Sequence, residues 1–297
     1  MRTAVLFPGQ GSQTSDMRDT VARLRPDLYE LALDEVGNEL FERANEKTEF
    51  AQPAIYCASL AGWSRFEGER PYAMAGHSLG ELAALAASGA VDEATGLRLV
   101  ALRGRLMQRV AERGTEGGML AIRTHLDEAG DLAERFDLTV ANDNSPEQVV
   151  LSGPNDALNR AAEQARAEGT RTRRLHIGGA FHTPAMNPAA AKFRVALERV
   201  SFKKPQVPVF SGVTAALFDD FRRRLAQAII RPVQWRETLL SLDGWGVESF
   251  VEVGPGRVLT GLVRRTLGDA QAETLDRGAP CSPHTPPGTD ALAPSLR

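Results

Sequence analysis

The stretch YAMAGHSLGELAALAA, residues 72–87, decides the fold class of this chain. Residues 72–76 are small and mostly apolar, as in a short buried strand, and residues 81–87 are rich in the helix formers Ala and Leu. The pentapeptide between them, GHSLG at 76–80, fits the pattern G-x-S-x-G of a tight strand-to-helix turn that exposes a serine hydroxyl. Ser78 is therefore a candidate nucleophile, although an ordinary glycine-flanked helix start could give the same pentapeptide.

The residues around this turn alternate between strand and helix patterns. A strand at Thr3–Phe7 is followed by helical patterns at Met17–Leu40 and Pro53–Phe66, and an amphipathic helix covers Asp92–Ala111. Strands that alternate with helices are typical of a parallel sheet with helices on its faces. We therefore predict an α/β fold with an α/β-hydrolase-like large domain.

The order of patterns changes after the glycine-rich break Gly114–Gly118. The next residues read β-α-β-β-α-β, which is typical of a ferredoxin-like unit. We predict that residues 117–180 form a small α+β subdomain inserted into a large domain of residues 1–116 and 181–267. The predicted elements of the insert are strands Met119–Ile122, Leu138–Ala141, Gln148–Ser152 and Thr172–Ile177 and helices Leu126–Phe136 and Asn155–Glu168.

The C-terminal third returns to the pattern of the large domain and ends in a polar stretch. Residues 268–297 are rich in Gly, Pro, Ser, Thr and Asp without an apolar period, so we expect a disordered tail. The elements predicted before it are helices Ala189–Val200, Asp219–Ile230 and Val258–Leu267 and strands Val207–Ser211 and Ser249–Val253.

Composition excludes several classes of protein. The 297 residues are 42% hydrophobic and 25% charged with a formal net charge of −3, which offers no general attraction to nucleic acid or to anionic lipid. No segment has the roughly 18 consecutive apolar residues of a membrane span, and the N-terminus lacks the apolar run of a signal peptide. The two cysteines, Cys57 and Cys281, lie far apart, so a disulfide framework is not expected. We predict a cytoplasmic protein.

A serine nucleophile needs a base, and the chain offers five histidines. His77 neighbours Ser78, but its side chain should point away across the turn and serve packing or hydrogen bonding. His125, His176 and His284 have no motif around them. His182 follows a glycine-rich segment at the return from the predicted small subdomain, on the rim of a two-domain cleft, and is the best candidate.

Four motifs occur in order: PGQGSQ at 8–13, GHSLGE at 76–81, AFHTPAM at 180–186 and EVGPG at 252–256. Together they resemble the malonyl-CoA:acyl carrier protein transacylase family, which includes the acyltransferase domains of fatty acid and polyketide synthases. The resemblance runs from Thr3 to about Leu267. It implies that Ser78 carries the acyl group as an ester and that His182 is its base, with no acidic third member. It also implies that the backbone N–H groups of Gln10 and Leu79 form the oxyanion hole.

The resemblance places the arginine that binds the malonyl carboxylate at Arg103. A guanidinium group can hold a carboxylate through two parallel hydrogen bonds, and an acetyl group would leave it unpaired. Phe181, before the base, resembles the malonyl-preferring members, whereas methylmalonyl-preferring domains more often have serine there. Asn142 and Asn144 resemble a loop that faces the site, although an asparagine turn before Pro146 explains them equally well. Met107 is a further predicted pocket residue.

One position departs from the family pattern. The family has glutamine at the start of the segment AIIRPVQW, residues 228–235, and the main-chain carbonyl of that glutamine orients the catalytic histidine. Ala228 stands at this position here. A backbone acceptor survives the change, so the resemblance still implies that Ala228 orients His182.

The implied reaction moves malonyl from coenzyme A to the phosphopantetheine thiol of an acyl carrier protein, by a monomeric enzyme without cofactor or metal. Two alternatives stay open: an esterase or thioesterase of α/β-hydrolase type, which would need an Asp or Glu to orient His182, and a non-catalytic subunit that binds carrier protein. Carrier proteins are typically acidic, so a basic rim would help docking. The candidates for this rim are Arg171, Arg173, Arg174, Lys203, Lys204 and 222–224.

Overall fold

The computed structural model describes residues 1–114 and 116–275, which form eleven strands and eleven α-helices. The strands are β1 Thr3–Phe7, β2 Ala73–Gly76, β3 Gly117–Ile122, β4 Thr139–Ser145, β5 Gln148–Pro154, β6 Thr172–Arg174, β7 Val209–Ser211, β8 Ala216–Leu217, β9 Val233–Gln234, β10 Ser249–Glu252 and β11 Gln271–Thr274. The helices are α1 Met17–Leu24, α2 Pro26–Val36, α3 Thr48–Trp63, α4 Gly80–Ala87, α5 Glu93–Arg113, α6 Leu126–Arg135, α7 Asn155–Ala167, α8 Asn187–Leu197, α9 Phe221–Gln227, α10 Trp235–Gly244 and α11 Val258–Leu267.

The larger sheet has the strand order β11-β10-β1-β2-β7-β8. All its neighbouring strands are parallel except β8, which pairs antiparallel with β7 at one edge. The central strand β1 is buried on both faces: Val5 and Phe7 enter one hydrophobic core, and Ala4 and Leu6 enter the other. Burial on both faces explains why this strand reads as a continuous apolar run. The predicted α/β architecture with a parallel sheet is confirmed.

The smaller sheet has the strand order β6-β3-β5-β4-β9. Its first four strands are antiparallel neighbours, and with α6 and α7 they follow the predicted β-α-β-β-α-β order. They enclose a hydrophobic core of their own, which includes Leu120, Val149 and Leu158. This arrangement supports the subdomain boundaries given above, which stay a prediction. The fifth strand, β9, comes from the later part of the chain and pairs parallel with β4.

Several predicted elements need correction. The helix predicted at Met17–Leu40 is broken at Arg25, because Pro26 lacks an N–H and disfavours helical geometry in the residue before it. The helix predicted from Pro53 begins five residues earlier, at Thr48, with the proline inside it. Helix α10 was not predicted at all.

The tail predicted for residues 268–297 begins too early. Residues 271–274 form β11, which pairs parallel with β10 at the edge of the larger sheet. The strand shows no clear apolar pattern because it lies at a sheet edge and none of its four residues is fully buried. Residues 276–297, with Cys281 and His284, lie outside the described residues. No helix in the described part of the chain is long and apolar enough to cross a membrane.

The EVGPG motif at 252–256 stabilises the start of helix α11 and the loop before it. The buried Glu252 side chain, at the end of β10, accepts hydrogen bonds from the backbone N–H groups of Leu259 and Thr260, at 3.1 and 2.7 Å, and so caps helix α11. A carboxylate at a helix N-terminus satisfies N–H groups that have no partner within the helix. The loop that follows lies against the PGQGSQ loop, where an added Cβ at Gly256 would come 2.9 Å from the carbonyl oxygen of Ser12.

Candidate active site

The turn between β2 and α4 holds Ser78 in an unusual backbone conformation. Its φ is +53°, in the left-handed region that non-glycine residues rarely adopt. The two flanking glycines permit the turn because the backbone approaches too closely for a side chain. An added Cβ would lie 2.0 Å from the carbonyl carbon of Gly80 if placed at Gly76, and 2.2 Å from the carbonyl oxygen of Phe7 if placed at Gly80. The predicted strand-to-helix elbow is therefore present.

The structure brings His182 to the serine. The Oγ of Ser78 lies 3.0 Å from Nε2 of His182, within reach for proton transfer. His182 is 5% exposed and also has a positive φ, +59°, where the chain returns from the small sheet. Two neighbouring residues in a sparsely populated conformation are typical of sites where the surrounding structure fixes reactive groups.

The other nitrogen of the imidazole ring, Nδ1, donates a hydrogen bond to the carbonyl oxygen of Arg231 at 3.2 Å. This bond fixes the tautomer in which Nε2 is the acceptor for the Ser78 hydroxyl. The sequence predicted the carbonyl of Ala228 for this task. The Ala228 carbonyl contributes a smaller favourable interaction with the ring, and the main acceptor lies three residues further on.

No carboxylate among the described residues hydrogen-bonds His182. The nearest acid to Ser78 in sequence, Glu81, uses its buried Oε1 atom to accept hydrogen bonds from the backbone N–H of Gly212 at 2.7 Å and the hydroxyl of Ser211 at 3.1 Å. Burial raises the pKa of Glu81 to about 7. The arrangement of Ser78 and His182 is that of a dyad, and it lacks the acid that a hydrolase triad would use.

The imidazole of His182 is neutral at physiological pH. Burial lowers its pKa to about 3, and the positive charge of Arg103 and the proximity of His77 add to the effect. A neutral ring can accept the serine proton.

Arg103 reaches the nucleophile from α5. It is 3% exposed, and its Nη2 atom donates to Ser78 Oγ at 3.1 Å while Nη1 donates to Gln52 Oε1 at 2.7 Å. Burial lowers the pKa of Arg103 to about 10, which still leaves it protonated at neutral pH. Its hydrogen-bond partners among the described residues are all neutral. No carboxylate of the described residues lies within ion-pairing distance of it, and the buried Glu81 carboxyl interacts with its charge only from further away. The site therefore holds a buried cation without a directly paired anion, beside the serine hydroxyl.

The two predicted oxyanion donors lie on either side of the nucleophile. Leu79 follows Ser78 at the start of α4, and Gln10 lies in the PGQGSQ loop. No described residue accepts a hydrogen bond from the backbone N–H of either one. The loop is held in shape by the hydroxyl of Ser12, which donates to the carbonyl oxygen of Gly9 at 2.8 Å. Neither N–H group is therefore occupied by a described residue, which suits the predicted oxyanion hole; that role of Gln10 and Leu79 stays a prediction.

His77 connects the elbow to the small sheet and not to Ser78, as predicted. Its Nε2 atom lies 2.9 Å from Oδ1 of Asn144, and its ring meets the edge of Trp235 at a centroid distance of 5.4 Å. Asn142, two residues before Asn144 on β4, is 8% exposed, and its Oδ1 atom is buried without a hydrogen-bond partner. An unpaired buried carbonyl oxygen can accept a hydrogen bond from an amide of a bound substrate.

Phe181 and Met107 are both buried, but their surroundings differ. The Met107 sulfur lies 3.4 Å from Nε2 of Gln52, beside the Arg103 contact. The Phe181 ring packs against Gly179 and Ala111 in the main hydrophobic core. Met107 therefore lies next to the residues around Arg103, which would bind an acyl carboxylate. Phe181 instead packs its ring beside Gly179, in the segment that leads to His182.

Sequence reasoning missed two residues of this site. Gln52 and Thr48 lie one turn apart on α3, and both are buried. Gln52 contacts Arg103, and the hydroxyl of Thr48 donates to the side-chain oxygen of Gln10 at 2.7 Å. The available signal was a pair of polar residues four positions apart in an otherwise apolar helix, but the predicted helix start at Pro53 left both outside it.

A cleft of about 1500 Å³ opens beside the site, between the PGQGSQ loop and the small sheet. Polar groups line much of it. The lining includes Gln10, His77, Asn142, Asn144, Arg173 and His176.

The predicted basic rim divides into two groups. Arg171 and Arg173 are exposed on the small sheet, where they line a groove of about 820 Å³ together with Arg123 and Arg265; Arg173 also lines the cleft. Arg223 and Arg224, on helix α9, instead form ion pairs with Asp219, which lies just before that helix. Arg222, on the same helix, donates hydrogen bonds to the backbone carbonyl groups of Leu197 and Val200. On the small sheet, Arg174 donates to the side chain of Asn155. Lys203 and Lys204 are exposed and line neither the groove nor the cleft.

Comparison with known proteins gives a consistent result. The model of the acyl transferase domain matches residues 5–278. The malonyl CoA-acyl carrier protein transacylase of Escherichia coli O157:H7 is 37% identical over 296 residues, which cover 92% of this chain and 95% of that protein.

Solved structures agree in fold. The malonyl CoA-acyl carrier protein transacylase of Coxiella burnetii superposes with a TM-score of 0.86 at 32% identity, covering 93% of this chain and 94% of that one. A malonyl-transacylase solved in complex with a type II polyketide synthase acyl-carrier protein superposes with a TM-score of 0.85 at 35% identity, covering 92% and 96%.

Proposed function

The chain belongs to the acyl transferase domain family, and we propose that it moves a malonyl group from malonyl-CoA to the phosphopantetheine thiol of an acyl carrier protein. The observation that carries this proposal is the buried Arg103, which has only neutral partners and lies 3.1 Å from the Ser78 hydroxyl. An acyl group that ends in a carboxylate would supply the missing negative charge. Fatty acid or polyketide synthesis would use the product.

In the first half-reaction, Nε2 of His182 takes the proton of the Ser78 hydroxyl while Oγ attacks the carbonyl carbon of the thioester. The backbone N–H groups of Gln10 and Leu79 stabilise the negative oxygen of the tetrahedral intermediate. The carbon–sulfur bond then breaks, and the coenzyme A sulfur takes the proton from His182. The malonyl group remains as an ester on Ser78.

The second half-reaction reverses these roles at the same site. His182 takes the proton of the carrier thiol, and the sulfur attacks the carbonyl carbon of the ester. The bond to Ser78 Oγ breaks, and the serine recovers its proton from the imidazolium. Each proton transfer and each charge in this scheme is assigned to a residue of this chain, so the proposed mechanism needs no cofactor. A monomeric state and a cytoplasmic location stay predictions.

The test is mass spectrometry of the intact protein after exposure to malonyl-, methylmalonyl- and acetyl-CoA, with peptide mapping of the modified residue. We expect a malonyl adduct on Ser78 that disappears when holo acyl carrier protein is added and reappears on the carrier. Rapid release of free malonate without carrier would support the esterase alternative and contradict the proposal.

Arg103→Ala should lower kcat/KM for malonyl-CoA on the order of 10³-fold, because the malonyl carboxylate would be buried without a cation. Acetyl-CoA has no carboxylate, so its kcat/KM should change far less, and the ratio of the two should collapse. The rate of acylation of Ser78 by each thioester measures both values.

Arg98→Ala is the matched control, since Arg98 lies on the same helix but is exposed and pairs with Glu35. It should leave both rates within about twofold, as for a surface ion pair. Equal losses for malonyl and acetyl in Arg103→Ala would show that the arginine supports the fold or the nucleophile and does not select the acyl group.

We propose that the acidic carrier protein docks at the groove lined by Arg171 and Arg173, because these exposed side chains adjoin the cleft. Attraction between opposite charges raises the association rate at low salt. Arg171→Glu combined with Arg173→Glu should therefore slow transfer to carrier about tenfold at low ionic strength and flatten its salt dependence. Acylation by malonyl-CoA in the first half-reaction would be measured in parallel. A transfer rate insensitive to both salt and charge reversal would place docking elsewhere.

A further inference from the structure

Four hydrogen bonds connect the nucleophile to the PGQGSQ loop through the interior of the protein. Arg103 donates to Ser78 Oγ at 3.1 Å and to Gln52 Oε1 at 2.7 Å. The Nε2 group of Gln52 donates to Thr48 Oγ1 at 3.0 Å, and the Thr48 hydroxyl donates to Gln10 Oε1 at 2.7 Å. The chain of bonds therefore runs from the group that would hold the acyl carboxylate to the loop that would hold the oxyanion.

Gln52 is the centre of this chain. It is 1% exposed, so each polar atom of its amide must find a partner within the protein. Its oxygen can only accept and its nitrogen can only donate. Because Arg103 is a donor and the Thr48 oxygen accepts, the two contacts fix the amide in one orientation.

The neutrality of Gln52 is its decisive property. A carboxylate in the same place would form a buried ion pair with Arg103 and cancel its charge. An apolar side chain would leave Nη1 of Arg103 without its partner and the guanidinium free to move. The amide does neither, since it holds one terminal nitrogen by a hydrogen bond of 2.7 Å and leaves the guanidinium without a directly paired anion.

We propose that Gln52 is a positioning residue that sets the preference for a carboxylated acyl group, by holding Arg103 with a neutral acceptor. This inference rests on the proposed function. A second consequence follows from Thr48. Because Thr48 connects Gln52 to Gln10, the Arg103 anchor and the oxyanion loop share one hydrogen-bonded support, and loss of Thr48 removes the partner of Gln10 Oε1 and the acceptor of Gln52 Nε2 together.

Gln52→Glu is the sharpest test because it preserves the shape of the side chain and adds a negative charge beside Arg103, although it also turns the Nε2 donor to Thr48 into an acceptor. We expect kcat/KM for malonyl-CoA to fall about 100-fold, since the new carboxylate competes with that of malonyl for Arg103. The value for acetyl-CoA should stay within about threefold, since acetyl does not use the charge. The measured quantity is the ratio of the two acylation rates at Ser78, which a general loss of folded protein would not change.

Two further variants keep the proposal falsifiable if Gln52→Glu does not fold. Gln52→Met removes the acceptor without adding charge, and the malonyl-to-acetyl ratio should fall about tenfold. Thr48→Val keeps the acceptor of Arg103 but removes both the connection to Gln10 and the acceptor of Gln52 Nε2. Both rates should therefore fall, and the malonyl-to-acetyl ratio should fall less than in Gln52→Met. Thermal unfolding of each variant confirms that the protein compared is folded.

The outcomes separate this inference from the proposed function. If the wild-type protein forms no malonyl ester on Ser78, the proposed function fails. If the wild type is malonylated and folded Gln52→Glu or Gln52→Met keeps the wild-type ratio, the role of Gln52 is overturned while the transferase stands. A ratio that falls as far in Thr48→Val as in Gln52→Met would also overturn it, because the preference would then depend on the Thr48 connection and not on the acceptor that holds Arg103.

Discussion

Ser78→Ala is expected to abolish the acyl-enzyme and to lower malonyl transfer on the order of 10⁶-fold, because no other oxygen occupies the position of the nucleophile. The hydroxyl lies 3.0 Å from the His182 base and 3.1 Å from the Arg103 guanidinium, and alanine removes both contacts together. Residual activity would come only from binding of the substrates by an otherwise intact site. Intact-protein mass spectrometry measures the adduct, and a carrier acylation assay measures the rate.

Ser88→Ala is the matched control for this variant. Ser88 is also buried, but it lies at the opposite end of α4 and donates to the carbonyl oxygen of Leu85. Its loss should lower stability by about 1 kcal/mol without affecting the adduct. Unchanged malonyl transfer by Ser78→Ala would reject both Ser78 as the nucleophile and the proposed mechanism.

His182→Ala has the second-largest expected effect, a loss of about 10⁴-fold in the acylation rate. Without the imidazole no group accepts the serine proton, since the described residues place no carboxylate at hydrogen-bonding distance from Ser78 Oγ. His125→Ala is the control, because His125 is exposed at the start of α6 in the small sheet's layer. A His182→Ala rate within tenfold of wild type would show that another base serves Ser78.

The pH dependence distinguishes His182 from an ordinary histidine. Since burial holds its pKa near 3, kcat/KM for malonyl-CoA should not fall as the pH drops through the usual imidazole range near 6.5. If kcat/KM does change with a midpoint near pH 7, we attribute the change to Glu81, and it should vanish in Glu81→Gln. A fall in kcat/KM near pH 6.5 that persists in Glu81→Gln would contradict the conclusion that the buried His182 imidazole stays neutral there.

The lowered pKa of His182 also makes the stability of the folded protein depend on pH, and the numbers of protons bound by the folded and unfolded states give the direction. Between the folded pKa near 3 and the ordinary value near 6.5, the unfolded chain binds a proton at His182 that the folded protein does not. Folding therefore loses stability as the pH falls through this range. His182→Ala should be less sensitive to acid in thermal unfolding than the wild type.

The sequence predicted the reactive side chains because each carries a distinctive pattern. Ser78 is marked by its glycines and His182 by its approach from the small subdomain, and the family resemblance selected Arg103 among several arginines of α5. Backbone N–H and carbonyl groups give no comparable pattern in the sequence. Any residue can supply a carbonyl oxygen, which is why the main acceptor of His182 was placed at Ala228 and is found at Arg231.

Other misses have equally specific causes. Gln52 and Thr48 become functional only because α3 packs against α5, a contact between segments about 50 residues apart that no local pattern records. β11 escaped prediction because an exposed edge strand can be polar. β9 is two residues long, too short to show any alternation, and it is recognised only by its pairing with β4.

That two-residue strand has a consequence for protein engineering. β9 hydrogen-bonds to β4 through the pairs Asn142–Val233 and Asp143–Gln234, and an ion pair of 2.9 Å between Arg236 and Asp143 reinforces it. It begins only two residues after Arg231, whose carbonyl holds the base. A chimera that exchanges residues 117–180 with those of a relative would therefore also exchange the partner strand of the segment that aligns His182. Residues 231–236 should be exchanged together with residues 117–180.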